Sequence, residues 1–136
     1  MSGFRTLVGQ LSWISTHTRP DIAFETCELG HFSGAKITDL IKLKKLVERL
    51  KSTSLHLYFP RLGSLRQCTI KCYTDASFRN LPNEGSQGGF IIFLQTSDDN
   101  KMCPIFWESK KIDRVVDSTL AAETKALHKV LKYLYI

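Results

Sequence analysis

No apolar run in this 136-residue sequence approaches the roughly 20 residues needed to cross a bilayer as a helix. Met1 to Arg5 lacks the charged-then-apolar layout of a secretory leader, so the expectation is an intracellular protein, cytoplasmic or nuclear, with no membrane partner. Cysteine is sparse and unpatterned: Cys27, Cys68, Cys72 and Cys103 contain no CxxC pair. Only Cys68 and Cys72 are close, at a spacing that puts both on one face of a strand. Free thiols fit this better than a disulfide framework. His17, His31, His56 and His128 have no paired spacing either, so the convergent ligands of a zinc site are not in view.

The signatures of several enzyme classes are missing too. There is no GxxxxGK[ST] phosphate loop, no GxSxG elbow and no HExxH helix. Gly85-Ser86-Gln87-Gly88-Gly89 is glycine-rich but leads into a strand, and reads as tight backbone there. Acidic residues are the minority, 13 against 19 Lys and Arg, for a net charge of +6. That balance favours polyanionic partners. Lys36, Lys42, Lys44, Lys45, Arg49 and Lys51 form one basic group, and Lys110, Lys111 and Arg114 another. Each reads as a solvated surface or as a track for phosphates.

What is present is an ordinary globular composition, 43% hydrophobic and 24% charged, which needs no metal or disulfide to build a core. Leu7, Val8, Leu11 and Ile14 repeat at helical spacing. Thr18-Arg19-Pro20-Asp21 reads as the start of a second helix with Thr18 as cap, running to about Leu29 and broken by Gly30 and Gly34. Ile37, Leu40, Ile41, Leu43, Leu46, Val47 and Leu50 predict a third, amphipathic helix. Alternation at Leu55, Leu57 and Phe59 predicts a strand that Pro60 and Gly63 end.

Beyond Pro60 the pattern changes to strands at 68–75, 88–95 and 101–109, with a polar loop over 79–85 and a hairpin turn over 96–100. A helix follows from Ser118. The fold class is therefore α/β (α+β): a three-stranded, mostly antiparallel sheet with one packed helix, preceded by a small helical segment. The boundary falls between Pro60 and Arg66, giving segments 1–60 and 66–136.

One residue of the last helix breaks its own pattern. At 100° per residue, Leu120, Leu127, Val130, Leu131 and Leu134 share a sector of about 100°, predicted to face the core, and Glu123 falls inside it. A carboxylate there is costly unless paired, protonated or bound to a cation. It reads either as part of a cap with Ser118 or Thr119, or as a metal ligand or general base. Asp75 supports the second, because it ends a predicted strand and precedes two small residues, Ala76 and Ser77. Two carboxylates, one from a strand and one from a helix packed on that sheet, suit Mg²⁺. A two-metal site needs more acids than these, and Asp98, Asp99, Asp113, Asp117 and Glu84 sit in predicted loops.

Four stretches in order, Tyr73-Thr74-Asp75-Ala76-Ser77, 88–94 (GGFIIFL), 105–111 (IFWESKK) and Ser118-Thr119-Leu120-Ala121-Ala122-Glu123, resemble the ribonuclease H domain of copia-type retrotransposon Pol polyproteins. Upstream, 4–11 (FRTLVGQL) and 18–24 (TRPDIAF) resemble the connection between reverse transcriptase and that domain, so 1–60 takes a thumb- or connection-like character. The resemblance implies a ribonuclease H-like fold over 66–136, with Asp75 and Glu123 as catalytic, Mg²⁺-ligating residues acting on RNA in RNA–DNA hybrids. It brings no small-molecule cofactor. Ser77 and Asn80 are expected to contact the nucleic-acid backbone. Ala121 stands where the family commonly has another glutamate, which is not the catalytic one.

The family's fold continues with further strands, a helix and at least one more catalytic aspartate. The expectation for this sequence is thus a truncated ribonuclease H-like sheet without a polymerase palm, with absent or weak cleavage and an exposed sheet edge open to self-association. The alternative expectation is a non-catalytic nucleic-acid-binding remnant of a retroelement.

Overall fold

The computed structural model describes residues 2–31, 36–81, 83–97 and 101–135. The chain forms two compact units, residues 1–56 and 57–136. Among the described residues no helix is long and apolar enough to cross a membrane.

The first unit is helical, with α1 Ser2–His17, α2 Ala23–Gly30 and α3 Ile37–Ser52. Val8, Leu11, Ile22, Leu29, Leu43 and Leu46 form its core, with Phe4, Leu7, Ile14, Val47 and Leu50 packed around them. The helical spacing of α1 and the central leucines of α3 thus do what the pattern predicts. Ile37, Leu40 and Ile41 do not: they are exposed, Ile37 at 78%, and the buried apolar residues of α3 are Leu43 and Leu46. The breaker expected at Gly34 lies outside the described residues.

The TRPD sequence is structured differently from the expected helix start. Thr18 is not a cap; its hydroxyl donates back to the Ile14 carbonyl and closes α1. Pro20–Ile22 is a single 3-10 turn, and Arg19 clasps Asp21 through two bonds, Nε to Oδ1 at 2.9 Å and Nη2 to Oδ2 at 2.8 Å. The bond from Arg19 holds the Asp21 carboxyl below its ordinary value. Arg19 also donates from Nη1 to the Thr53 carbonyl beyond α3. Lys42 to Glu28 and Arg49 to Glu25 are ion pairs between α3 and α2. The N-terminus of α3 is closed by the buried Asp39, which accepts from the Lys36 amide at 2.8 Å. Asp39→Ala should cost the helical unit about 1 kcal/mol, read as a lower urea midpoint followed by circular dichroism.

The second unit has β1 Cys68–Leu81, β2 Gly85–Thr96, β3 Met102–Lys111 and α4 Thr119–Leu134. The sheet is antiparallel throughout, in the order β1-β2-β3, which leaves β1 and β3 as edges. The strand predicted over Leu55–Phe59 is absent: the segment has no regular secondary structure and is not part of the sheet, and Tyr58 and Phe59 are exposed. The polar loop predicted over 79–85 is mostly strand. β1 continues to Leu81 and β2 starts at Gly85, with a register shift between Ser77 and Leu81 where Arg79 has a φ of 52°. Asn83 and Glu84, both at positive φ, make the reversal. Part of the hairpin expected over 96–100, residues 98–100, lies outside the described residues.

The apolar stripe predicted for α4 is also corrected. Ala122, Ala126 and Val130 are the buried residues, whereas Leu120 is 76% exposed and Leu127, Leu131 and Leu134 are only partly covered. The packed face is turned about 90° from the leucine stripe. Small residues explain it: a Cβ on Gly88 would sit 3.2 Å from the Ala126 Cβ, so helix and sheet meet closely where side chains are smallest. Val130 packs with Phe90, Ile92 and Cys72, and Ala122 with Ile112 and Val116.

Candidate functional site

Asp75 lies in the middle of β1, not at its end, opposite Gly89 of β2. Glu123 lies in α4, whose cap is Ser118 accepting from the Ala121 amide at 3.1 Å. Glu123 therefore takes no part in the cap, and its carboxylate reaches the sheet instead. The Ala76 amide donates to Asp75 Oδ1 at 2.9 Å and to Glu123 Oε1 at 3.3 Å. Both oxygens share one donor, so they lie within about 6 Å of each other, the sum of those two distances.

The position of that donor matters. Ala76 pairs with Gly88 in register, yet its N–H is spent on the two carboxylates, which puts it on the open edge of β1. The site is thus built from an edge strand, a helix brought close by Ala126 and Gly88, and two acids aimed at one backbone amide. Asp75 is exposed and Glu123 half-buried, so the pair faces solvent on one side. The donor set is two hard carboxylate oxygens, which suits Mg²⁺ or Ca²⁺ and not a thiophilic metal. Among the described residues no third His, Cys, Asp or Glu joins them to make a three-ligand cluster.

The two residues expected at the nucleic-acid backbone sit nearby but are engaged differently. Ser77 is half-buried opposite Gln87. Asn80 donates through Nδ2 to Gln87 Oε1 at 3.3 Å, and Gln87 donates through Nε2 to Ser109 Oγ at 2.7 Å. Asn80 thereby belongs to a polar chain across all three strands, around the fully buried Ser86 and Gln87. Ser86 Oγ accepts from the Arg79 amide, bracing the irregular end of β1.

Sequence reasoning missed Glu108. It lies on β3 with its side chain 11% exposed and pairs with two ammonium groups, Lys110 of β3 and Lys129 of α4, the latter at 2.7 Å. Burial raises its pKa, but the bonds to Lys110 and Lys129 outweigh that, and the net shift is downward. The signal was available: a lone acid among Ile105, Phe106 and Trp107 on a strand asks for a partner.

Two curated relatives align with 91% of the chain. They are the retrovirus-related Pol polyproteins from transposons RE1 and RE2 of Arabidopsis thaliana, 29% and 28% identical over 126 residues. The chain spans 8% of the length of each. No family model matches it, and no solved structure does.

Proposed function

With a sequence similar to retrotransposon Pol polyproteins over nearly all its length as the premise, we propose that residues 57–136 are a ribonuclease H-like part of such a polyprotein. In this reading the segment is of copia type and its target is the RNA strand of RNA–DNA hybrids. The observation that carries it is the convergence of Asp75 and Glu123 on the Ala76 amide. Strand-strand-strand-helix order and the antiparallel sheet agree with it.

Asp75 and Glu123 are the residues that would hold Mg²⁺. Bound there, the cation supplies Lewis-acid polarisation of a phosphoryl oxygen and a more acidic bound water. The chain's own contribution is orientation. The Ala76 N–H fixes one oxygen of each carboxylate, and the tight seat of α4 on Gly88 sets their separation. Among the described residues two acids converge there and no third joins them, and in this reading slow turnover is the expected outcome.

Magnesium titration followed at the Ala76 amide by ¹⁵N–¹H spectroscopy tests the site directly. We expect a saturable shift in the millimolar range that Asp75→Asn and Glu123→Gln each remove. Any Mg²⁺-dependent cleavage of a labelled hybrid should fall about a hundredfold in Asp75→Asn. A silent amide in the native chain, or hybrid cleavage that survives Asp75→Asn, overturns the assignment. The second reading, binding without turnover, is motivated by the +6 charge. It predicts a salt-sensitive complex with the hybrid and no product.

A further inference from the structure

On the flank of α4 away from Glu123, a cleft of about 510 Å³ opens between the helix and the end of β3. Lys110, Lys111, Arg114, Lys125, Lys129 and Lys132 line it, against one acid in its wall, Asp113. Among the described residues, ion pairs hold two of these cations, Lys110 and Lys129, both through Glu108. Lys111, Arg114, Lys125 and Lys132 make no such pair among the described residues. Four uncommitted cations around one concavity repel each other in the free protein. They are relieved when a polyanion enters.

The floor of the cleft carries a second kind of information. Phe90 and Tyr133 line it, with ring centroids 5.5 Å apart, and Tyr133 also lies 5.1 Å from Phe106. Tyr133 and Phe106 are each more than a third exposed, so an aromatic face is offered to solvent beside the cations. Gly88 and Gly89 line the wall where β2 carries no side chain. Cations that track a backbone, next to open aromatic faces, are the arrangement that binds single-stranded nucleic acid without reading its sequence.

We propose that this cleft is a single-strand binding track, in which Lys111, Arg114, Lys125 and Lys132 contact phosphates and Tyr133 offers a stacking face to a base. It rests on the nucleic-acid reading above but not on the Asp75–Glu123 pair. Glu123 meets β1 on one flank of α4, and Lys129 meets β3 on the other. A strand could thus be held by one flank of the helix while the other addresses a phosphodiester.

The test is fluorescence anisotropy of a fluorescein-labelled twenty-nucleotide oligothymidylate with the full chain, in EDTA so that no cation site contributes. Binding is expected with a Kd on the order of 10 μM near 50 mM salt, and a log Kobs against log salt slope of about −3 for four phosphate contacts. Lys125→Gln combined with Lys132→Gln should weaken it about tenfold and flatten the slope by about 1.4. Lys45→Gln combined with Lys51→Gln removes the same charge from the helical unit and should change it little. Tyr133→Leu should weaken the oligothymidylate several-fold more than a double-stranded DNA of equal length.

Equal losses from the two lysine pairs would reduce the effect to net charge and overturn the proposal. So would competition by polyglutamate as effective as unlabelled oligothymidylate, or no binding in EDTA by a chain whose circular dichroism shows it folded. Failure of the magnesium reading appears separately, as an Ala76 amide that stays silent to Mg²⁺ in the native chain while oligothymidylate binding persists.

Discussion

Gly88→Val should destabilise residues 57–136 by about 1–3 kcal/mol. It should also loosen the carboxylate pair. The first carbon added at Gly88 already stands 3.2 Å from the Ala126 Cβ and 3.5 Å from Ile112 Cγ1, and the two methyls of valine have no space left. Strand propensity favours valine over glycine, but the gain is within about 1 kcal/mol and does not offset overpacking. The relief available is for α4 to move away, which stretches the Glu123 to Ala76 bond, long already at 3.3 Å. Urea unfolding followed at Trp107 reads the first effect, and faster exchange of the Ala76 amide reads the second. Gly88→Ala should show both in smaller degree. An unchanged midpoint in the valine variant would mean that α4 does not bear on β2 at this position.

Glu108→Gln carries the other large effect, with a distinct pH signature. The carboxyl has its folded pKa depressed, because the two ammonium groups outweigh the opposing pull of burial. A depressed acid stabilises the fold above its unfolded value, and that contribution is lost as pH falls through the folded one. Native chain and variant should thus differ by about 1–2 kcal/mol at pH 7 and converge as pH falls through that depressed folded value. Lys110 is largely in solvent, and screening there holds the figure below that of a fully buried pair. Lys110 has its own pKa raised, first by the bond to Glu108, so the upper limit of the effect lies beyond the ordinary lysine range. The same substitution frees two cations beside the cleft and should tighten oligothymidylate binding a few-fold. Stability and affinity moving in opposite directions is the mark of a carboxylate that braces a cationic surface.

Much of the second unit was legible in the sequence because its signals are local. Alternation over 68–75, the β-favouring apolar run over 88–95 and the cap at Ser118 depend on near neighbours, and strands and helix stand at those places. The face of α4 was misread for a tertiary reason. Hydrophobicity ranks leucine above alanine, but close helix-to-sheet approach selects for small size, and Ala122 and Ala126 win that contest. Glu123 stood out under the wrong stripe, yet its carboxylate does border the packed face beside Val130. The extent of β1 was hidden because Arg79 and Asn80 carry turn composition, while Ser86 and Gln87 supply the bonds that keep them in the strand. Leu55 to Phe59 alternate well but have no neighbouring strand, and alternation without a partner is not a strand.

The irregular stretch between Ser77 and Leu81 has a consequence for how chain length can vary. From Cys68 to Ser77 every residue of β1 has a fixed partner on β2, so one residue inserted or deleted there would turn Asp75 to the other face. Past Ser77 the register has already slipped, and the reversal at Asn83 and Glu84 follows at once. Insertions at that tip change the loop and leave the pairing of Asp75 with Gly89 untouched. Homologous chains are therefore expected to differ in length at the hairpin tip and to keep constant length between it and the aspartate.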